Sequence, residues 1–238
     1  MSREVSGDYK ELLSFFENYS ISQIVLNSDY ALVISRVHKR YFAYLTIVGE
    51  LTILSKSGNQ NPGINDDQLN YLKESCSDIG NAIFCLINGS YKPANLILRS
   101  SIETFLKSFN LDTYPEIVTE KSLYKIFETL KAQSFYQNEP QKKIYDMIHQ
   151  KYIDLCADTH TASTVNMAHI TSMNYFPQFN QVKASTIADT ITKLINSYVS
   201  LLVIKYQEYY HKMHFKNKTN ILSILSGNIK RLIQGIDD

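Results

Sequence analysis

Apolar residues recur along most of this chain at spacings of three and four residues, the period of an amphipathic α-helix. The clearest such segment begins at Tyr91. Pro93 fits its first turn, where a helix has backbone N–H groups without a partner and proline has none to offer. The apolar face of this segment consists of Leu98, Ile102, Phe105, Leu106 and Phe109. We find no segment longer than a few residues with the two-residue period of a strand, so the pattern predicts an all-α fold.

Interruptions of the pattern divide the chain into about seven to eight helices. The main helices are expected at about 29–57, 66–87, 93–111, 140–158 and 184–214, followed by a C-terminal helix at 221–233. Shorter helices are expected at Asp8–Tyr19 and after Pro115. The tight turn Asn88-Gly89-Ser90 should make an antiparallel hairpin of the two helices that flank it. We therefore expect residues 1–238 to form a single domain, a multi-helix bundle.

Two parts of the pattern carry further expectations. In the first short helix we expect Leu12, Leu13, Phe15 and Phe16 to face inward. Residues 158–182 lose the helical period, and a connection of that length in a compact domain indicates either a functional loop or a poorly ordered one.

Composition limits the classes of function. The chain has 24 Lys and Arg against 23 Asp and Glu, a formal net charge of +1, which excludes binding to nucleic acid through overall charge but allows a local basic patch. Cys76, Cys85 and Cys156 form no paired motif and are expected to be reduced. The longest apolar run, Tyr41–Leu54, is interrupted by Glu50 and is too short for a bilayer. We expect a cytoplasmic protein without a signal peptide, a membrane segment or a cofactor.

One group of polar residues is spaced for chemistry between two helices. Arg99 and Glu103 lie one turn apart, and Tyr152, Cys156 and His160 follow one another at four-residue spacing. An arginine can stabilise a developing anion, a histidine can act as general acid or base, and a glutamate can orient either. Arg99, Glu103, Tyr152 and His160 are therefore the candidate catalytic residues for phosphate-ester chemistry. The alternative is a structural Arg99–Glu103 ion pair, with His160 favoured at a helix C-terminus.

These residues also carry a family resemblance. The pattern L-R-S-x-x-E (Leu98, Arg99, Ser100, Glu103), followed by Y-x-x-L-C-x-x-x-H (Tyr152, Leu155, Cys156, His160), resembles uncharacterised bacterial helical proteins related to the HEPN superfamily. Cys156 stands where those proteins usually have serine. The resemblance implies a helical bundle, commonly a homodimer, in a group that includes stress and phage-defence ribonucleases.

One departure from that family is visible in the sequence. Active HEPN ribonucleases carry an arginine and a histidine separated by four to six residues on one helix. No arginine precedes any of the six histidines at that spacing. A metal-independent endoribonuclease would therefore need Arg99 and His160 to act across two helices.

A basic segment near the C-terminus is a second candidate. Lys205, Lys212, Lys216 and Lys218 alternate with Tyr and Phe, an arrangement that can bind a nucleic-acid backbone and stack bases. The alternative is a solvated helix end with favourable cations. In the same segment Glu208, His211 and His214 are spaced at successive turns, but they lack the His pair and central Glu of zinc hydrolases, so we expect no metal site.

Two functions remain open from the sequence. The first is a HEPN-like cytosolic protein of a bacterial stress or phage-defence system, a homodimer that binds or cleaves RNA. The second is a non-catalytic helical adaptor that binds a protein partner through Tyr-rich surfaces, with the Arg99–Glu103 pair structural.

Overall fold

A computed structural model of the chain describes residues 3–22, 26–57, 62–159 and 172–235. This part of the chain is 79% helical and contains no strand, which confirms the all-α prediction. Ten α-helices are present here, more than the expected seven to eight. In chain order they are α1 (Arg3–Asn18), α2 (Ser28–Leu54), α3 (Asp66–Ile87), α4 (Tyr91–Asn110), α5 (Leu123–Lys131), α6 (Gln141–Thr159), α7 (Gln181–Lys205), α8 (Gln207–Lys212), α9 (Phe215–Leu222) and α10 (Gly227–Gln234). Short 3₁₀ segments lie at Pro115–Val118, Ser134–Tyr136 and Met173–Tyr175.

Side-chain caps explain where two of the long helices begin. The Asn27 side chain accepts hydrogen bonds from the backbone N–H groups of Asp29 and Tyr30, at 3.0 and 3.1 Å. At the start of α3, Asn65 and Gln68 form a reciprocal capping box. Each cap satisfies backbone donors that the first turn of a helix leaves without a partner.

The extra helices come from breaks that the apolar period does not reveal. The expected helix 184–214 ends at Lys205, and Tyr206 leaves helical geometry before α8 begins. This break coincides with the side chain of Lys205 binding the end of α4, a contact that only the folded chain makes. The expected C-terminal helix 221–233 is likewise wrong, because α9 and α10 occupy this region with a turn between them.

The segment after Pro115 also differs from the prediction of one helix. Pro115–Val118 forms a single 3₁₀ turn, and α5 starts only at Leu123. Ser122 has an extended backbone, and its hydroxyl accepts a hydrogen bond from the Lys125 N–H at 3.4 Å. A residue that caps a new helix in this way cannot continue the preceding one.

The bundle is organised around two helix pairs. α3 and α4 form the expected antiparallel hairpin through the Asn88–Ser90 turn, and this is the most extensive helix pairing in the described structure. α2 and α7 run parallel, since Tyr30 contacts Phe179, Arg36 pairs with Asp189 and Tyr44 contacts Tyr198. α6 packs against both α4 and α7.

Buried hydroxyl groups link these two pairs at the centre. The Tyr44 hydroxyl donates to Ser75 Oγ at 3.1 Å, and Ser75 Oγ donates to the Ser101 carbonyl oxygen at 3.1 Å. Ser101 Oγ and the Tyr198 hydroxyl are hydrogen-bonded at 3.3 Å. The Tyr198 ring stacks on Phe105 with centroids 3.9 Å apart. All four hydroxyl-bearing residues are buried, so one network connects α2, α3, α4 and α7.

Among the described helices, α7 alone is long and apolar enough to cross a bilayer by length and composition. Most of its apolar window, 72%, is buried inside the bundle. The core helix of a globular domain has this composition too.

The helices α1 and α2 each leave several large apolar side chains outside the core. On α1, the inward orientation expected for Leu13 and Phe16 is wrong, because both are exposed. On α2, the face opposite the core exposes Leu32, Phe42, Leu45 and Ile53.

Gly89 joins the α3–α4 turn to the segment that precedes α7. Its φ of +74° lies in the left-handed region that favours glycine. A Cβ at this position would overlap the Gln178 carbonyl oxygen. Gln178 is held there by its N–H bond to the Asn88 carbonyl and by its side-chain bond to the Gly89 carbonyl, both at 3.4 Å.

We expect Gly89→Ala to lower the free energy of unfolding by about 3 kcal/mol or more, because the strain of a positive φ adds to a backbone clash. Gly63→Ala is the matched control: Gly63 has a φ of +76°, but nothing lies within 4 Å of its Cβ position. That variant should lose only about 1–2 kcal/mol. Urea denaturation of both variants measures the difference, and equal losses would contradict the close contact with Gln178.

Candidate functional site

Arg99 and Tyr152 meet across two helices. Arg99 is exposed on α4, and its Nη2 donates a hydrogen bond to the Tyr152 hydroxyl on α6 at 3.3 Å. The guanidinium carbon lies 5.5 Å from the centroid of the Tyr152 ring, within the range of a cation–π contact. The structure thus brings together two of the four candidate catalytic residues.

Cys156 is the third member of this group, one turn after Tyr152 on α6. Its thiol is hydrogen-bonded to both Arg99 and Tyr152. The bond to Tyr152 raises the pKa of Arg99. Burial raises the pKa of Tyr152, and the neighbouring guanidinium opposes that shift. At neutral pH the cluster therefore presents one positive charge beside a neutral phenol.

Glu103 is placed differently from the sequence expectation. Its carboxylate binds Lys107 Nζ at 2.7 Å, one turn further along α4. Arg99 instead turns toward α6. The expected Arg99–Glu103 ion pair, whether catalytic or structural, is therefore absent between these two described residues. The physical reason is that each side chain has an alternative partner: Glu103 pairs with Lys107 on the same helix, and Arg99 binds Tyr152 on α6.

The fourth candidate catalytic residue, His160, lies outside the described residues. The last residue of α6 is Thr159, which directly precedes it. The four-residue spacing of Tyr152, Cys156 and His160 remains the argument that relates His160 to the cluster.

Another histidine, His149, was not singled out from the sequence. It lies on α6 one turn before Tyr152, and its ring stacks on Phe127 with centroids 4.3 Å apart. Tyr152 contacts the same phenylalanine, at 5.4 Å. Burial lowers the pKa of His149, which favours a neutral imidazole near pH 7. The three-residue spacing of His149 and Tyr152 indicates that they share one face of α6. Only the packing of α5 against that face shows that both contact Phe127.

The four lysines of the basic segment near the C-terminus lie in different environments. Lys205 is largely buried, and its Nζ donates to the Phe109 carbonyl at 2.5 Å and binds Asp112 at 2.7 Å. Burial lowers the pKa of Lys205. This lysine therefore binds the C-terminal end of α4, where it satisfies a backbone carbonyl.

The remaining lysines of that segment lie nearer the surface. Lys212 and Lys216 are exposed, and Lys212 lies over the Tyr209 ring at 5.0 Å. Lys218 donates to the His211 carbonyl at 3.1 Å. Only Lys212 and Lys216 thus present exposed charges for an anion.

Glu208, His211 and His214 have the spacing of metal ligands on successive helical turns. No group of three or more His, Cys, Asp or Glu side chains that could hold a metal ion occurs in the described part of the chain. His214 Nδ1 accepts a hydrogen bond from the Lys216 N–H at 3.3 Å. It is the N-terminal cap of α9.

The chain matches no protein-family model, no curated protein and no solved structure. The resemblance to HEPN proteins therefore rests on the two short sequence motifs alone.

Because Arg99 is exposed, we expect Arg99→Ala to change the free energy of unfolding by about 1 kcal/mol or less. In a double-mutant cycle, Arg99→Ala and Tyr152→Phe should couple by about 0.5–1 kcal/mol, because Tyr152→Phe removes the hydroxyl that accepts the Arg99 hydrogen bond. Arg99→Ala and Glu103→Gln should be additive within about 0.3 kcal/mol, because they have different partners. Chemical denaturation of the single and double variants measures both terms. A coupling with Glu103 larger than that with Tyr152 would contradict the observed geometry.

Proposed function

We propose that this chain is a HEPN-like helical protein of a bacterial stress or phage-defence system, which binds RNA through the cluster of Arg99, Tyr152 and Cys156. The single observation that carries this proposal is the exposed guanidinium of Arg99, held between two helices. Its partners are a phenol and a thiol, and Glu103 is bound elsewhere.

Phosphate is the ligand that best fits this arrangement. A guanidinium offers several N–H donors in a fixed plane, and paired donors suit the oxygens of a phosphate. Tyr152 uses one of these donors and fixes the side chain, so less conformational freedom is lost on binding. The Tyr152 ring also provides a face beside the charge on which a base can stack.

RNA cleavage at this cluster would proceed by metal-independent transesterification. In this proposal His160 removes the proton of the ribose 2′-hydroxyl, whose oxygen attacks the adjacent phosphorus. The bond from phosphorus to the 5′-oxygen breaks, and the leaving oxygen takes a proton from solvent, to which His160 releases the proton that it removed. The products are a 2′,3′-cyclic phosphate and a free 5′-hydroxyl. Arg99 stabilises the negative charge on the phosphate oxygens as it develops. Active HEPN ribonucleases carry an arginine and a histidine four to six residues apart on one helix, and this sequence has no such pair. The second form of the proposal is therefore that the cluster binds RNA without cleaving it.

The experiment compares wild-type protein with Arg99→Ala and His160→Ala, using labelled single-stranded RNA in EDTA. If the site is catalytic, each variant should reduce the cleavage rate by about 100-fold or more, because each removes a transition-state interaction. If the site only binds, Arg99→Ala should weaken RNA affinity and reduce its salt dependence.

Lys73→Ala serves as the matched control, since this lysine is exposed on α3 and does not contact the cluster. Equal cleavage and equal RNA affinity in wild type, Arg99→Ala and the control would remove the assignment of Arg99.

We further propose that the protein is a homodimer that pairs through the exposed face of α2. Leu32, Phe42, Leu45 and Ile53 are between 45% and 70% exposed and share one side of this helix. The face is complementary to itself in size. In an antiparallel pair centred on Phe42, Ile53 of one copy meets Ala31 of the other, and Gly49 meets Ser35. The two Phe42 side chains meet at the centre, and the small residues toward each end allow the helices to approach closely.

Phe42→Asp should convert this dimer to a monomer, because it places a charge at the centre of the apolar interface. Tyr124→Asp is the control, since Tyr124 is similarly exposed but lies on α5. Sedimentation equilibrium measures the mass of each variant, with circular dichroism to confirm folding. A wild-type monomer at about 100 μM would contradict the pairing, since homodimers of functional affinity associate well below that.

The alternative function is a non-catalytic adaptor that binds a different protein. The observation that favours it is the same exposed apolar face of α2, which could be covered by that protein in place of a second copy of this chain. If the protein is an adaptor, we expect it to be folded but neither to bind nor to cleave RNA. It should be a monomer by itself and should form a complex only with its protein partner. The RNA and sedimentation experiments together therefore separate the two functions.

A further inference from the structure

A cavity of about 460 Å³ lies between α1, the C-terminal end of α3 and the segment that precedes α7. Aromatic and sulfur-containing side chains form most of its wall: Phe15, Phe16, Tyr19, Phe84, Met173 and Phe176. Phe84 is 67% exposed and Phe16 is 56% exposed. Large apolar side chains clustered around one concave surface are unusual in a protein that has nothing to bind there.

A second chamber of about 380 Å³ adjoins the first and shares Ser90 and Phe176 with it. Its wall includes Tyr175 and two lysines, Lys92 and Lys183. Neither lysine has an acidic side chain within ion-pair distance in the described part of the chain. An apolar chamber therefore opens beside a positively charged one.

No acidic side chain is among the described residues that line either of these two chambers. Glu11 lines a third cavity, of about 410 Å³, which meets the apolar chamber at Phe15, Tyr19 and Phe176. Polar groups of the apolar chamber are few, and the Tyr19 hydroxyl is already hydrogen-bonded to the Asn88 side chain. The charge that a ligand meets is thus positive at the Lys92–Lys183 end.

We propose that these two adjacent chambers together bind a small molecule with a planar aromatic body and one anionic group. The aromatic body would occupy the chamber of Phe16 and Phe84, and the anion would lie between Lys92 and Lys183. The volume of the apolar chamber falls within the range of about 300–1,000 Å³ that small-molecule sites occupy.

An aromatic body fits these walls better than an extended polar ligand. Ring edges and faces pack favourably against other rings, and thioethers such as Met173 contact rings favourably as well. The site shares no residue with the cluster of Arg99, Tyr152 and Cys156, so it does not depend on the proposed RNA function.

A matched pair of fluorescent probes tests both halves of the site. Anilinonaphthalene sulfonate has an aromatic body and one anionic group, and N-phenylnaphthylamine has the same body without the charge. We expect the folded protein to bind the sulfonate more tightly than the neutral probe.

The variant Lys92→Gln/Lys183→Gln should weaken binding of the sulfonate about tenfold and leave the neutral probe unchanged, because it removes only the charge contacts. Phe84→Ser should weaken both probes, because it removes part of the apolar wall. Each side chain is at the surface or partly exposed, so these variants should keep the wild-type melting temperature.

Two controls locate the binding. Lys39→Gln/Lys73→Gln makes the same change in net charge with exposed lysines outside both chambers, and Tyr124→Ser removes an exposed aromatic side chain from α5. Neither should alter binding of either probe. The proposal is overturned if Lys39→Gln/Lys73→Gln weakens the sulfonate as much as Lys92→Gln/Lys183→Gln does. It is also overturned if Phe84→Ser leaves both affinities unchanged.

Discussion

The buried network of Tyr44, Ser75, Ser101 and Tyr198 is the constraint on which the rest of this structure depends. A hydroxyl without a partner in the core costs about 1–3 kcal/mol, so four helices must meet at one relative position for all of these groups to be satisfied. The stacking of Tyr198 on Phe105 adds a second geometric requirement at the same place. Apolar contact alone would tolerate sliding of one helix along another, whereas this network does not.

Because α4 is fixed in this way, it presents different chemistry on its remaining surfaces. Its middle carries Arg99 toward Tyr152 on α6, and its C-terminal end is bound by Lys205. Its first turn, with Lys92, borders the second chamber, next to the segment that precedes α7. The proposed RNA contact and the proposed ligand site are thus separate features of one rigid helix. Neither requires the other to be occupied.

Interactions in the sequence compete, and the structure shows which ones prevail. Four-residue spacing allows Glu103 to pair with either Arg99 or Lys107, and the pair with Lys107 forms while Arg99 turns to α6. Asp78 on α3 also has its partners on a neighbouring helix, since Ser100 and Thr104 of α4 are its hydrogen-bond partners. The side chain is buried there, and burial raises its pKa. Spacing along a helix defines the possible partners of a charged residue, but neighbouring helices decide among them.

The sequence by itself determined the all-α class, the α3–α4 hairpin and the approximate position of most long helices, because these follow from local periodicity, turns and caps. It also brought Arg99 and Tyr152 forward as candidates. Only the tertiary structure decided the break at Tyr206, the internal role of Lys205, the exposure of Phe16 and Phe84, and the chambers that they border. Those features depend on contacts between residues far apart in the chain, and the period of a single helix carries no information about which surface another helix will cover.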